Sequence, residues 1–184
     1  MNAAPDLSAD YALSKEQIDN YKSNGHVLVK GLASPDEVTF YRKAILDGVE
    51  KLNTERRRME DRDTYGKAFL QIFNLWRQNE VLRKFVLAKR FAHVAAKLMG
   101  VDRVRLYHDQ ALFKEPGGGH TPWHQDQYYW PLDTNNTVTM WMPLVDINSE
   151  MGIMKFASGT HTLGSVTSKE ISDDSEDFFN NFVS

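Results

Sequence analysis

The sequence predicts an α+β protein, with helices in the first half of the chain and a sheet, sandwich or barrel made by the second half. Three observations carry this expectation. Up to Gly100 apolar residues recur at helical spacing, and beyond it they alternate. The early runs are framed by helix-capping residues. Glycine, proline and asparagine turns cut the later half into strand-sized pieces.

The elements follow in order. "SKEQIDNYKSNG" begins with Ser14 as N-cap and has Gly25 placed to stop the helix, and "HVLVKGL" (26–32) then reads as a short strand. "SPDEVTFYRKAILDGVEKL" (34–52) places Ser34 at the N-cap, Pro35 at N1 and Glu37 at N3, a full capping box before an amphipathic helix. "ERRRMEDRD" (55–63) is a mixed charge run, read as a solvated helix end or loop. "NEVLRKFVLAKRFAHVAAKLMG" (79–100) predicts one helix closed by Gly100, with His93 a packed or surface residue on it. "RVRLYHDQALFKE" (103–115) alternates as a strand, "GGG" (117–119) breaks it, and "TPWHQDQYYW" resumes it. After the turn "PLDTNN" (131–136), "TVTMWMPLVDI" (137–147) and "GIMKFASGTH" (152–161) predict a third and a fourth strand.

A chain of 184 residues, 41% of them hydrophobic, is enough for one domain with a real core. A net charge of −3 gives no reason to expect nucleic acid or an anionic membrane as partner. The absence of cysteine excludes disulfides and thiolate metal sites. The first residues lack the pattern of a signal peptide and no apolar run approaches membrane-spanning length, so a soluble cytoplasmic protein is expected. Charge is uneven: the last arginine is Arg105, and the remainder of the chain is acidic.

Residues 120–130, "HTPWHQDQYYW", hold the densest chemistry. On a strand, His124 and Asp126 project from one face. An imidazole and a carboxylate converging on a point make up two-thirds of the facial triad that holds Fe(II) with positions open for oxygen and substrate. An i,i+4 pairing of His120 with His124 fails, because Gly117–Gly119 and Pro122 argue against a helix. The spacing alone equally fits a strand with solvated polar groups. Tyr128, Tyr129 and Trp130 read either as the wall of a pocket or as ordinary core aromatics, and Trp141 reads as core.

Three blocks in one order, "LSKEQIDNYKSNGHVLVKGLASPDEV", "QALFKEPGGGHTPWHQDQYYW" and "TMWMPLVDINSEMGIMKFASGTH", resemble the phytanoyl-CoA dioxygenase family of Fe(II)/2-oxoglutarate oxygenases over most of residues 14–168. The resemblance implies N-terminal helices packed on a double-stranded β-helix, a jelly-roll or cupin-like barrel. It implies His124 and Asp126 as metal ligands and Gln110 and Trp141 as residues lining the cosubstrate. The implied activity is hydroxylation of a small-molecule substrate, with O2 and 2-oxoglutarate consumed and succinate and CO2 released. Asp126 also separates the chain from the halogenase relatives, which leave that position small for chloride.

Two features of the family pattern are missing. The distal histidine of the triad and the arginine that pairs with the far carboxylate of 2-oxoglutarate follow the "SGTH" turn, whereas here no histidine follows His161 and no arginine follows Arg105. His161 matches the family's turn histidine rather than its ligand. Lys114 and Lys155 are cations within reach of a carboxylate in principle, but an ammonium does not reproduce the bidentate arginine fork. The chain is therefore expected to be one incomplete domain over 1–184, mainly helical over 1–100, with strands over 101–165 and an acidic connector over 166–184. A partial barrel leaves edges and apolar faces unpaired, which favours self-association. The alternative to an active oxygenase is an inactive or weakly metal-binding remnant of the family.

Overall fold

Ser14 and Ser34 start the first two helices as their sequences predict. In α1 (Lys15–Asn24) the Ser14 hydroxyl accepts from the Gln17 N–H and the Gln17 side chain reaches back to the Ser14 N–H, while Gly25 ends the helix in the left-handed region at φ 79°. In α2 (Pro35–Leu52) the Ser34 N–H donates to the Glu37 carboxylate at 2.7 Å and the Ser34 hydroxyl accepts from the Glu37 N–H at 3.2 Å. This computed structural model describes residues 3–183. Further elements are α3 (Thr64–Ala68), β1 (Leu70–Phe73), α4 (Glu80–Val86), α5 (Lys89–Met99), β2 (Gln110–Phe113) and α6 (Asp173–Val183).

The described residues form two compact units interleaved along the chain. Unit 1 takes the residues up to Asn53, Ile72–Ala111 and Val138–Asp146; unit 2 takes Thr54–Gln71, Leu112–Thr137 and the residues from Ile147 onwards.

Unit 1 is built on helices. α1 packs on α5, and α2 packs on α4 and on the 3-10 turn Leu75–Arg77. Its core holds Tyr41, Ile45, Val49, Leu75, Leu82, Phe85, Phe91 and Val94. Tyr41, fully buried, stacks at a tilt on Phe85 at 4.7 Å and donates its hydroxyl to the Pro5 carbonyl, so the buried polar tip is satisfied. A methyl at Gly48 would lie 3.2 Å from both Leu75 and Leu82, so α2 and α4 approach closely there.

The single helix expected over 79–100 is two helices, broken at Leu87 and Ala88. Ala88 leaves helical geometry at ψ 132°, and the Ala88 N–H closes a tight turn onto Phe85 O. The N-terminal segment takes over what the break releases. The Arg90 N–H donates to Leu7 O at 3.1 Å, and the buried Leu7 side chain fills the core. The Arg90 guanidinium then binds Glu37, Leu32 O and Ala9 O. Tertiary bonds thus override a continuous helical pattern.

Unit 2 relies on turns, short 3-10 helices and hydrogen bonds from side chain to backbone. Ala68, Pro122, Ser175 and Phe179 are its buried residues. Arg62, 9% exposed, is ion-paired with Glu115, and the Gly119 N–H donates to Lys67 O at 2.9 Å.

The strand expectations are met only in part. Among the described residues the paired strands are β1 and β2 in one two-stranded sheet, so the mixed helix and strand character stands but four ladders do not appear. Of 103–115 only Gln110–Phe113 pairs, and its partner β1 was not expected. Segments 26–32, 137–147 and 152–161 form no ladder. Alternation fixes which side chains share a face, but a strand exists only where a neighbour supplies the hydrogen bonds. Leu28, Met140, Trp141, Ile153 and Phe156 remain exposed on these segments, so Trp141 is not the core residue its sequence suggested. Residues 173–183 of the expected connector are helical. No helix among the described residues is long and apolar enough to cross a membrane.

Candidate functional site

The H-x-D residues lie in unit 2, where extended chain passes into a turn rather than along a strand. Gln125 is extended (φ −112°, ψ 120°) and Asp126 opens the 3-10 helix Asp126–Tyr129. The shared direction expected of a strand face therefore arises differently, from a turn that brings the carboxylate back toward the ring. His124 Nε2 and Asp126 Oδ1 lie 3.2 Å apart. His124 Nδ1 lies 2.8 Å from the Pro122 carbonyl oxygen. A carbonyl only accepts, so Nδ1 carries hydrogen and Nε2 is the nitrogen presented to Asp126.

Electrostatics follow from this placement. Burial works against a charged imidazole at His124, but the Asp126 carboxylate and the Pro122 carbonyl outweigh it and hold the pKa above the ordinary histidine value. Tyr65 is pushed up, first by its own burial, against the Gln71 hydrogen bond and with a contribution from the nearby Asp126 charge. The side chains of His124 and Asp126 are 28% and 49% exposed, so the pair is open to a ligand from solvent.

The donor set suits a divalent first-row metal. Two ligand atoms each about 2.1 Å from one ion at roughly a right angle sit about 3 Å apart, close to the observed separation. A ligating histidine ordinarily donates its other ring N–H to a carbonyl or carboxylate, the role Pro122 O fills here. Among the described residues no group of three or more histidine, aspartate and glutamate side chains could hold a metal, so the pair offers two donor atoms and no third beside them. His161 lies exposed on the 3-10 turn Thr160–Leu163, outside any such group.

The other expected residues are distributed unevenly. Gln110, the first residue of β2, and Trp141 both belong to unit 1. Tyr129 lines a cavity of about 370 Å³ in unit 2, together with Asp63, Thr64, Tyr65, Glu170, Ile171 and Ser172. Neither His124 nor Asp126 lines it. Tyr128 packs edge-on against Tyr129 at 4.9 Å. Lys114 donates to Gly119 O at 3.0 Å and to the Thr121 hydroxyl at 3.2 Å, so it braces the glycine loop. Sequence reasoning missed Tyr65 and Glu176. The latter's carboxylate accepts the Trp123 N–H at 2.7 Å, a contact between residues 53 positions apart for which no local signal exists.

Comparison with known proteins bears out the family resemblance. The family model "Phytanoyl-CoA dioxygenase (PhyH)" matches residues 21–181. Ectoine dioxygenases of Bordetella parapertussis and Bordetella bronchiseptica are each 26% identical over 160 residues, covering 82% of this chain and 50% of theirs. The crystal structure of the non-heme alpha ketoglutarate dependent carbocyclase SnoK from nogalamycin biosynthesis is 26% identical with a TM-score of 0.57, covering 72% of this chain and 49% of that one. The chain spans about half the length of the curated relatives it matches. It belongs to the phytanoyl-CoA dioxygenase family.

Proposed function

From that family membership we propose that the chain takes part in oxygenation of a small-molecule substrate dependent on non-haem Fe(II) and 2-oxoglutarate, with His124 and Asp126 as metal ligands. The observation that carries the reading is the convergence of His124 Nε2 on Asp126 Oδ1 while Nδ1 is spent on Pro122 O. Bound iron with 2-oxoglutarate and O2 supplies an oxidant for a C–H bond, at the expense of decarboxylation to succinate. The chain's own residues do the rest. Pro122 fixes the ring tautomer, so His124 meets the metal through Nε2. Asp126 supplies an anionic oxygen that offsets the ion's charge.

Gln110 and Trp141 enter the proposal as residues lining the cosubstrate, supported by the family match that spans residues 21–181. The double-stranded β-helix belongs to the same proposal, supported by the alternating apolar segments 137–147 and 152–161. The named relatives are ectoine dioxygenases and an alpha ketoglutarate dependent carbocyclase from nogalamycin biosynthesis. These names support a small metabolite as the class of substrate.

The test is succinate release from 2-oxoglutarate by the purified chain with Fe(II) and O2. The proposal expects turnover that disappears in His124→Ala and Asp126→Ala. Metal binding without turnover supports the second reading, a weakly binding remnant, which the two-ligand count among the described residues favours. Turnover that survives both substitutions rules out the ligand assignment.

A further inference from the structure

The backbone on either side of His124 is held by side chains in place of a strand partner. The Trp123 N–H donates to Glu176 Oε2 at 2.7 Å, and the Trp123 carbonyl accepts from Ser175 Oγ at 3.3 Å. Ser175 is fully buried and locked in its turn: its Oγ accepts from the Ser172 N–H, its single hydrogen is shared between the Ser172 and Trp123 carbonyls, with Ser172 O the nearer at 2.9 Å, and the Ser175 N–H donates to Ser172 Oγ. That reciprocal pair caps the start of α6.

Two residues on, the Gln125 side-chain amide donates to Gly164 O and accepts from the Val166 N–H, both at 2.9 Å. Tyr129 accepts from the Ile171 N–H at 2.6 Å. Trp123, Gln125 and Tyr129 therefore each bond to the segment 164–176, while His124 and Asp126, interleaved with them, turn toward each other. A carboxylate acceptor makes the Trp123 bond the strongest of the set.

We propose that Glu176, supported by Ser175 and Gln125, is a positioning residue: it clamps the backbone at Trp123 so that the His124 imidazole and the Asp126 carboxylate reach one metal ion together. The inference rests on the metal reading of that pair. Loss of a group that orients a ligand typically weakens metal binding about 10–100-fold, and Glu176 acts through a single backbone N–H, so the lower end of that range applies.

The experiment uses the full chain and Co(II) as probe, titrated by visible absorbance, with hydrogen exchange of the 122–126 segment measured in parallel. Glu176→Ala is expected to weaken Co(II) binding about tenfold and to speed exchange. Glu176→Gln retains an amide oxygen for the Trp123 N–H and is expected to restore both. Asp177→Ala, which removes a charge from the same turn of α6 without touching Trp123, is expected to change neither. Should Glu176→Ala fail to fold, Gln125→Ala opens the neighbouring clasp, with the same direction expected. Wild-type affinity in Glu176→Ala alongside a defective His124→Ala overturns the positioning role alone. Equal affinity in wild type and His124→Ala overturns the metal reading and the positioning role with it.

Discussion

Three adjacent glycines behind the candidate ligands should answer differently to the same substitution. At Gly118 an added Cβ would lie 2.7 Å from Lys67 O and 3.0 Å from Glu115 O. Both are backbone atoms, held by hydrogen bonds from the Gly119 and Gly118 N–H groups, and neither can swing aside. Forcing a methyl into such a site costs about 1–3 kcal/mol, offset by about 0.4–1 kcal/mol from stiffening the unfolded chain. The net loss, up to about 2.6 kcal/mol, lowers Tm by up to about 10 °C in a protein of this size. At Gly117 nothing lies within 4 Å, but φ is +74°, so Gly117→Ala loses about 1 kcal/mol to backbone strain. At Gly119 the nearest atom is Lys67 Cβ at 3.7 Å and φ is ordinary, so Gly119→Ala is neutral or stabilising by about 0.4–1 kcal/mol. Thermal melts by circular dichroism on the three variants give the order directly. Gly118→Ala melting at or above Gly119→Ala would refute the close approach of the glycine loop to Lys67.

Further outcomes follow from unit 1. Arg90→Met strands the Glu37 carboxylate, whose partner is lost at 2.9 Å with both side chains nearly buried, and should cost about 3 kcal/mol in urea unfolding. Burial alone would raise the Glu37 pKa, but Arg90 and the Ser34 N–H hold it below the ordinary glutamate value. A depressed carboxyl contributes stability that is present above its unfolded pKa of about 4.3 and fades as pH falls through the lower folded value. The gap between wild type and Arg90→Met should therefore narrow below about pH 4; a gap constant with pH would contradict the ion pair. Leu82→Ala, at a fully buried position between α2 and α4, should cost about 2–5 kcal/mol. Leu28→Ala, at a position 72% exposed, should stay within about 0.5 kcal/mol in the same assay.

The helices of unit 1 were legible because their signals are local. Ser14, Gly25, Ser34, Glu37 and Gly100 each act within one turn of chain, and each caps the helix end expected of it. The break at Leu87 and Ala88 was not legible, since its cause is the Leu7 carbonyl and the Arg90 bonds from a segment some 80 residues away. Strands were the poorest reading for the same reason: "TVTMWMPLVDI" and "GIMKFASGTH" carry the alternation but not the partner that would make a ladder. At the candidate site, spacing alone left His124 and Asp126 as either ligands or solvated strand residues, and it was the family resemblance of the surrounding blocks that implied them as ligands. The turn at Asp126, the tautomer set by Pro122 O and the clasp from Glu176 are tertiary facts without a local signature.

The metal reading meets its most direct test in an anaerobic titration of the chain with Fe(II) and 2-oxoglutarate, followed by visible absorbance. Simultaneous chelation by the two protein ligands and the 2-oxo acid gives a weak charge-transfer band, expected with the wild type and absent from His124→Ala and Asp126→Ala. A spectrum without the band in wild type, or one unchanged when either side chain is removed, would contradict the assignment of this pair as the iron ligands.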